Sequence, residues 1–293
     1  MNHIISITTI TTAALVFGVG STFAADPPDD HSTVASACKD LEYLSTLFAF
    51  HGRPHNLDAG RPVTVLISHG YMVGFSEARK QPVWAAYRVS NAKRDTHYDR
   101  PPFFHDDLRL PESARIGTAT FGGGFDRGHM VPNFAINTQY GKLAQMETFF
   151  MSNVCPQKAN LNQGLWARLE NDIVNEYASA WGHIWVLTGP IFGDAPKSVK
   201  KLKDKGITVP IPSHFFLILV DTHGRQDSSI DILGLKFPQS TPRNAELTTD
   251  FIESIDELER LTKLNFFPRF STRRQNTHEN EKASDVWRVN EEE

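Results

Sequence analysis

Cysteine is scarce, charges of the two signs nearly cancel, and no apolar stretch is long. Two cysteines, Cys38 and Cys155, leave room for one disulfide at most. Such a bridge would join the N-terminal region to the loop after Asn153, and two buried thiols are the alternative. No internal repeat is visible, and no Pro/Ser-rich linker divides the body. Collagen, coiled coil and global disorder are excluded by a composition typical of soluble globular chains. After the N-terminal segment no run is long and apolar enough to span a bilayer, so stable membrane association is not expected. The chain also lacks a basic excess: its formal net charge is -4. Six acids against two bases between Asn276 and Glu293 account for that whole value, which leaves residues 25–275 neutral. A neutral body with a local basic groove remains compatible with a polyanionic substrate.

Met1–Ala24 contains no Asp, Glu, Lys or Arg. Its apolar stretch Ala13–Gly20 is short and broken by glycine, and Thr22-Phe23-Ala24 supplies small residues at the positions a signal peptidase reads. The expectation is a signal peptide over 1–24 and a secreted or periplasmic protein. A lead-in over 25–59, a main domain over 60–270 and an acidic, disordered tail over 271–293 complete the expected organisation.

Strand-like patterns occupy Pro62–Ser68, Tyr71–Ser76 and Val83–Val89, and suggest an antiparallel meander. Asn91–Thr120 reads as a long ordered loop. Leu143–Phe150 and Leu165–Ala180 read as helices. His183–Pro190, His214–Asp221 and Ile230–Phe237 read as further strands, and Asp250–Leu261 as a helix. Strands, then helices, then strands point to an α+β fold with a central antiparallel sheet flanked by helices.

The chemistry concentrates between Phe125 and Glu170. There the chain reads Phe-Asp-Arg-Gly-His-Met-Val-Pro, then Met151-Ser-Asn-Val-Cys-Pro-Gln, then Asn160-Leu-Asn-Gln-Gly-Leu-Trp-Ala-Arg-Leu-Glu. Phosphodiester hydrolysis needs a base for water, a cation at the developing oxyanion and in-line positioning. His129 can be the base, because imidazole titrates near neutrality. Arg127 can hold a phosphate bidentately. Asn162 and Glu170 offer oxygen ligands suited to Mg²⁺. On one continuous helix these two would be separated by about 12 Å and roughly 80°. That favours one direct ligand, Asn162, with Glu170 reaching the ion through water. Gly122-Gly123-Gly124 precedes this segment, but no Lys-Ser/Thr follows, so it reads as a hinge and not a phosphate loop.

Asp126-Arg127-Gly128-His129, followed by Asn153-x-x-Pro-Gln and Leu161-Asn-Gln-Gly-x-Trp-Ala-x-Leu-Glu, resembles the DNA/RNA non-specific endonucleases over about residues 60–268. The resemblance implies a ββα-metal (His-Me finger) active site that cuts DNA and RNA. His129 would be the general base and Asn162 the direct Mg²⁺ ligand, with Mn²⁺ as a substitute. Glu170 would hold metal-bound water, and Arg127 and Asn153 would position substrate and the metal shell. The resemblance also implies an upstream catalytic Arg. Arg100, with Phe104 and Asp107, fits its spacing, and Arg94 is the alternative. A homodimer is implied for many members and stays open for this chain, as does DNA against RNA preference. Two departures stand out: Leu217 where many members carry Lys, and Cys155 inside the Asn153-x-x-Pro-Gln turn. A non-catalytic binding homologue and a phosphodiesterase of other substrates are the rival functions.

Overall fold

The computed structural model describes residues 43, 45–93, 98–118, 121–203, 206–222 and 230–289. The expected signal segment, much of the lead-in, Cys38 and Arg94 lie outside them. Lys39–Glu293 form one compact unit.

Its centre is a six-stranded antiparallel sheet in the order β2-β3-β4-β7-β8-β9. The strands are β2 (Thr64–Ile67), β3 (Tyr71–Ser76), β4 (Gln81–Ser90), β7 (His183–Ile191), β8 (His214–Asp221) and β9 (Asp231–Pro238). A short pair, β1 (His55–Asn56) with β10 (Leu264–Asn265), lies apart from this sheet. The inner strands are apolar on both faces, as His214–Asp221 shows, because both faces are covered. Alternation sends Phe215, Leu217 and Leu219 into one core cluster and Phe216, Ile218 and Val220 into another.

The first cluster is closed by helices from the middle of the chain. These are α1 (Asn133–Tyr140), α2 (Lys142–Glu147), α3 (Ala159–Asn162) and α4 (Leu165–Asp172), continued by a π-turn at Ile173–Tyr177 and by α5 (Ala178–Trp181). Leu165, Trp166, Leu169 and Ile173 form the buried stripe at helical spacing. The second cluster is closed by Phe48, Phe266 and α7 (Ile255–Thr262), which follows the short α6 (Lys200–Lys203). Ser254 caps α7 by accepting from the Glu257 N–H at 3.2 Å. No described helix is long and apolar enough to cross a membrane.

Three features add to or differ from the sequence reading. First, β5 (Phe125–His129) and β6 (Val154–Lys158) form a separate antiparallel pair that the sequence pattern did not reveal, because Gly128 and Pro156 interrupt any alternation. Second, the tail is not disordered over its described part. Ser271 caps the helix α8 (Thr272–His278), accepting from the Arg274 N–H. Further on, Trp287 packs edge-on against Tyr177 and Trp181 with centroids 5.8 and 5.2 Å away. One aromatic anchor outweighs the acidic composition on which the disorder reading rested. Third, Cys155 is a thiol buried in the core, its Sγ 3.8 Å from the Pro82 carbonyl oxygen, and Cys38, the other cysteine, lies outside the described residues.

Candidate active site

Three consecutive glycines deliver the chain into β5. Gly122, Gly123 and Gly124 all have positive φ, a turn that side-chain-bearing residues resist. The turn closes when the Phe125 N–H donates to the Gly122 carbonyl at 3.1 Å. Along β5, Arg127 and His129 are two residues apart and share a face. Phe104 packs on both: its ring lies 4.0 Å from the Arg127 guanidinium and 5.2 Å from the His129 ring. Phe149 completes an aromatic box, 5.1 Å from His129 and 5.0 Å from Phe104.

The loop that carries Phe104 is held firmly. His105 exchanges backbone hydrogen bonds with Phe149 and Met151 at 2.9 and 2.8 Å. Buried Asp107 accepts a bidentate pair from Arg109, at 2.8 and 2.7 Å, and a bond from Ser152 Oγ at 2.6 Å. Arg100, on the same loop, is exposed and lies 5.0 Å from the Phe149 ring.

His129 is the most perturbed base in this region. Burial lowers its pKa to about 3, and the positive charges of Arg100 and Arg127 push in the same direction. Its Nε2 is shut from solvent and has no hydrogen-bond partner. Nδ1, the other ring nitrogen, makes no hydrogen bond among the described residues. Glu170 is pushed the other way. Burial raises its pKa to about 8, against the opposing effects of a Trp166 Nε1 hydrogen bond at 2.8 Å and the charge of Arg100. Arg100 therefore acts electrostatically on both His129 and Glu170.

Asn162 ends α3, and the helix does not run on to Glu170. The chain breaks at Gln163-Gly164, so the continuous-helix separation expected for Asn162 and Glu170 does not apply. Glycine is required at 164 because a Cβ there would sit 2.3 Å from the Asn160 carbonyl oxygen and 2.5 Å from that of Arg243. Asp126 then fixes the Asn162 amide. Its Oδ2 accepts from Asn162 Nδ2 at 2.9 Å and from Gln163 Nε2 at 2.8 Å. A carboxylate only accepts, so Asn162 must turn its nitrogen toward Asp126 and its Oδ1 away. That free, accessible carbonyl oxygen, with the second Glu170 oxygen, suits a hard divalent cation. The donor set fits the metal that the sequence motif implies.

Asn153 is placed differently from the other motif residues. It is fully buried, and its amide is consumed by the Val131 N–H, the Val131 carbonyl and the Thr148 carbonyl at 2.9, 2.9 and 3.0 Å. It pins the chain next to His129 and has no free atom for substrate. Leu217 is core, 1% exposed. The sequence reading missed the contact of Phe149 with His129 and the role of Asp126 toward Asn162. The spacing Asp126 to Asn162 carries no local signal for that contact.

The sequence profile of the DNA/RNA non-specific endonucleases matches residues 55–273. The chain belongs to that family. It is 28% identical over 206 residues to the Nuclease EXOG, mitochondrial, of Homo sapiens, covering 68% of this chain and 55% of the relative. It is 28% identical over 237 residues to Nuclease 1, mitochondrial, of Schizosaccharomyces pombe, covering 76% and 70%. With human Endonuclease G, mitochondrial, identity is 32% over 177 residues, 58% of each chain. The chain thus spans little more than half the length of the human relatives. A crystal structure of the EndoG/EndoGI complex has a chain that superposes with TM-score 0.62 at 22% identity, covering 79% of this chain and 92% of that one, and shows the fold.

These relatives overturn one expectation. They are named as mitochondrial nucleases, not as secreted or periplasmic proteins with signal peptides. Met1–Ala24 lacks acidic residues, and that property is common to export signals and mitochondrial transit peptides, so it could not separate them.

Proposed function

We propose that the chain is a metal-dependent endonuclease that hydrolyses phosphodiester bonds of DNA and RNA, with His129 as general base. The observation that supports this reading is the grouping of His129 with Phe104, Phe149, Arg100 and Arg127, on a strand whose Asp126 fixes the Asn162 amide. The domain over 60–270 would carry the activity.

His129 Nδ1 takes a proton from water as that water attacks phosphorus. Burial first, and then the charges of Arg100 and Arg127, keep the free ring neutral. Its low basicity belongs to the substrate-free site. A bound phosphate pairs with the two arginines, offsets their repulsion and so raises the basicity of the ring. Arg127 and Arg100 hold and neutralise the phosphate, and both rest on aromatic rings that keep their planes in place. Asn162 would hold Mg²⁺ directly, or Mn²⁺ in its place, with Glu170 receiving water of its shell. The cation supplies charge neutralisation at the phosphate and leaving oxygen. Asn153 acts as a positioning residue beneath β5 and not as a substrate contact. A groove of about 550 Å³ lined by Lys158, Asn160, Gln239 and Ser240 opens beside α3 and suits a backbone running past the site.

Incubating supercoiled plasmid and structured RNA with the protein tests this directly. Nicking of the plasmid and cutting of the RNA in Mg²⁺, both abolished by EDTA, is the expected outcome. Intact nucleic acid in Mg²⁺ and Mn²⁺ alike would leave a binding homologue as the better reading.

A further inference from the structure

The junction of α7 with the end of α8 holds charge that the nuclease site does not use. Asp256, Glu259 and Glu279 each place a carboxylate oxygen within 4.8 Å of the other two. Asp256 and Glu259 are three apart on α7, so one helical face presents both. Glu279 follows α8 and is tied to α7 through its backbone, where its carbonyl accepts from the Asp256 N–H at 3.0 Å. Its side chain is only 3% exposed, and its Oε1 is shut from solvent with no hydrogen-bond donor. The neighbouring cations are engaged elsewhere: Lys236 and Lys282 pair with Glu253, and Arg260 pairs with Glu257. Among the described residues no basic side chain pairs with the three acids.

Such a cluster is costly as it stands. Carboxylates this close repel one another, and burying one of them adds the loss of its hydration. A cation relieves both the repulsion and the unmatched Glu279 oxygen.

We propose that Asp256, Glu259 and Glu279 form a binding site for a hard divalent cation, calcium by preference, that fastens the C-terminal segment to α7. The donors are all oxygen, which selects calcium, magnesium or manganese over zinc or copper. Calcium is favoured because it accepts carboxylates in flexible one- or two-oxygen modes, whereas magnesium demands a near-octahedral cage. The segment so fastened leads on to Val286 and Trp287, which close the core over Tyr177 and Trp181. The role is structural and separate from the nuclease site.

The test is thermal unfolding of the full, EDTA-stripped chain with calcium added back, in wild type, D256N and E279Q. With calcium a hundredfold above its dissociation constant, wild type should gain roughly 5–10 °C. D256N and E279Q should lose most of that gain. Asp256 is exposed, so D256N tests the site even if the change at buried Glu279 harms folding. An unmoved wild-type midpoint overturns the proposal, and so does a gain retained in D256N. Cleavage activity is not the readout, so failure here is distinct from failure of the nuclease reading.

Discussion

Replacing Asp126 by alanine should weaken the metal site without touching the base. The carboxylate Oδ2 is the acceptor for both Asn162 Nδ2 and Gln163 Nε2. Without it, the Asn162 amide is free to rotate and present nitrogen instead of oxygen to the ion. Partners that orient a ligand typically contribute 10–100-fold in metal affinity, or about 1.4–2.7 kcal/mol. Folding should suffer less, about 1 kcal/mol, because the site is only half-buried and water replaces much of the bonding. The assay is the initial rate of plasmid nicking against Mg²⁺ concentration. The half-saturating concentration should rise 10–100-fold, with most of the wild-type rate recovered at saturation. In an N162A background the same change should add nothing, since the carboxylate acts through that amide. An unchanged Mg²⁺ dependence, or a full additional loss in N162A, would refute the reasoning.

Other outcomes follow from the same structure. In EDTA, E170Q should melt above wild type at alkaline pH. The raised folded pKa of Glu170 means that its stabilising contribution is complete below about pH 4.5 and is lost as pH rises through about 8; a gain that is constant with pH would contradict the shift. G164A should be destabilised by about 1–3 kcal/mol in denaturant unfolding, because its Cβ meets backbone at 2.3 and 2.5 Å; wild-type stability would show that the Arg243 loop moves freely. Trp287→Ala should cost about 3–5 kcal/mol if the tail closes the core, and an unmoved midpoint would restore the disordered tail. R100A should lower the cleavage rate by tenfold or more, while retention of the rate would shift the role toward Arg94.

Much of the sheet was legible because its strands carry unambiguous local patterns. His214–Asp221 is a continuous apolar run, and the structure forms a strand over those same residues. The Leu165–Ala180 helix likewise follows from its apolar spacing, although the π-turn at Ile173–Tyr177 left no signature. Features set by tertiary contact were not legible. The β5–β6 pair lacks alternation because Gly128 gives room to Gln157, whose side chain a Cβ would meet at 2.3 Å. The break between Asn162 and Glu170 centres on Gly164, crowded by the Asn160 carbonyl and by Arg243, 79 residues after that glycine and invisible to local spacing. The motif singled out His129, Asn162 and Glu170 as candidates by residue type. It could not show that Phe104 and Phe149 box the imidazole, or that Asn153 is spent on backbone.

The central claim is that His129 removes the proton from the attacking water. Single-turnover cleavage of plasmid in Mg²⁺ by wild type and His129→Ala, with folding matched by circular dichroism, tests it most directly. Loss of about 10²–10⁴-fold in rate, with nucleic-acid binding retained, is the expected result. Cleavage by His129→Ala within tenfold of wild type would contradict it.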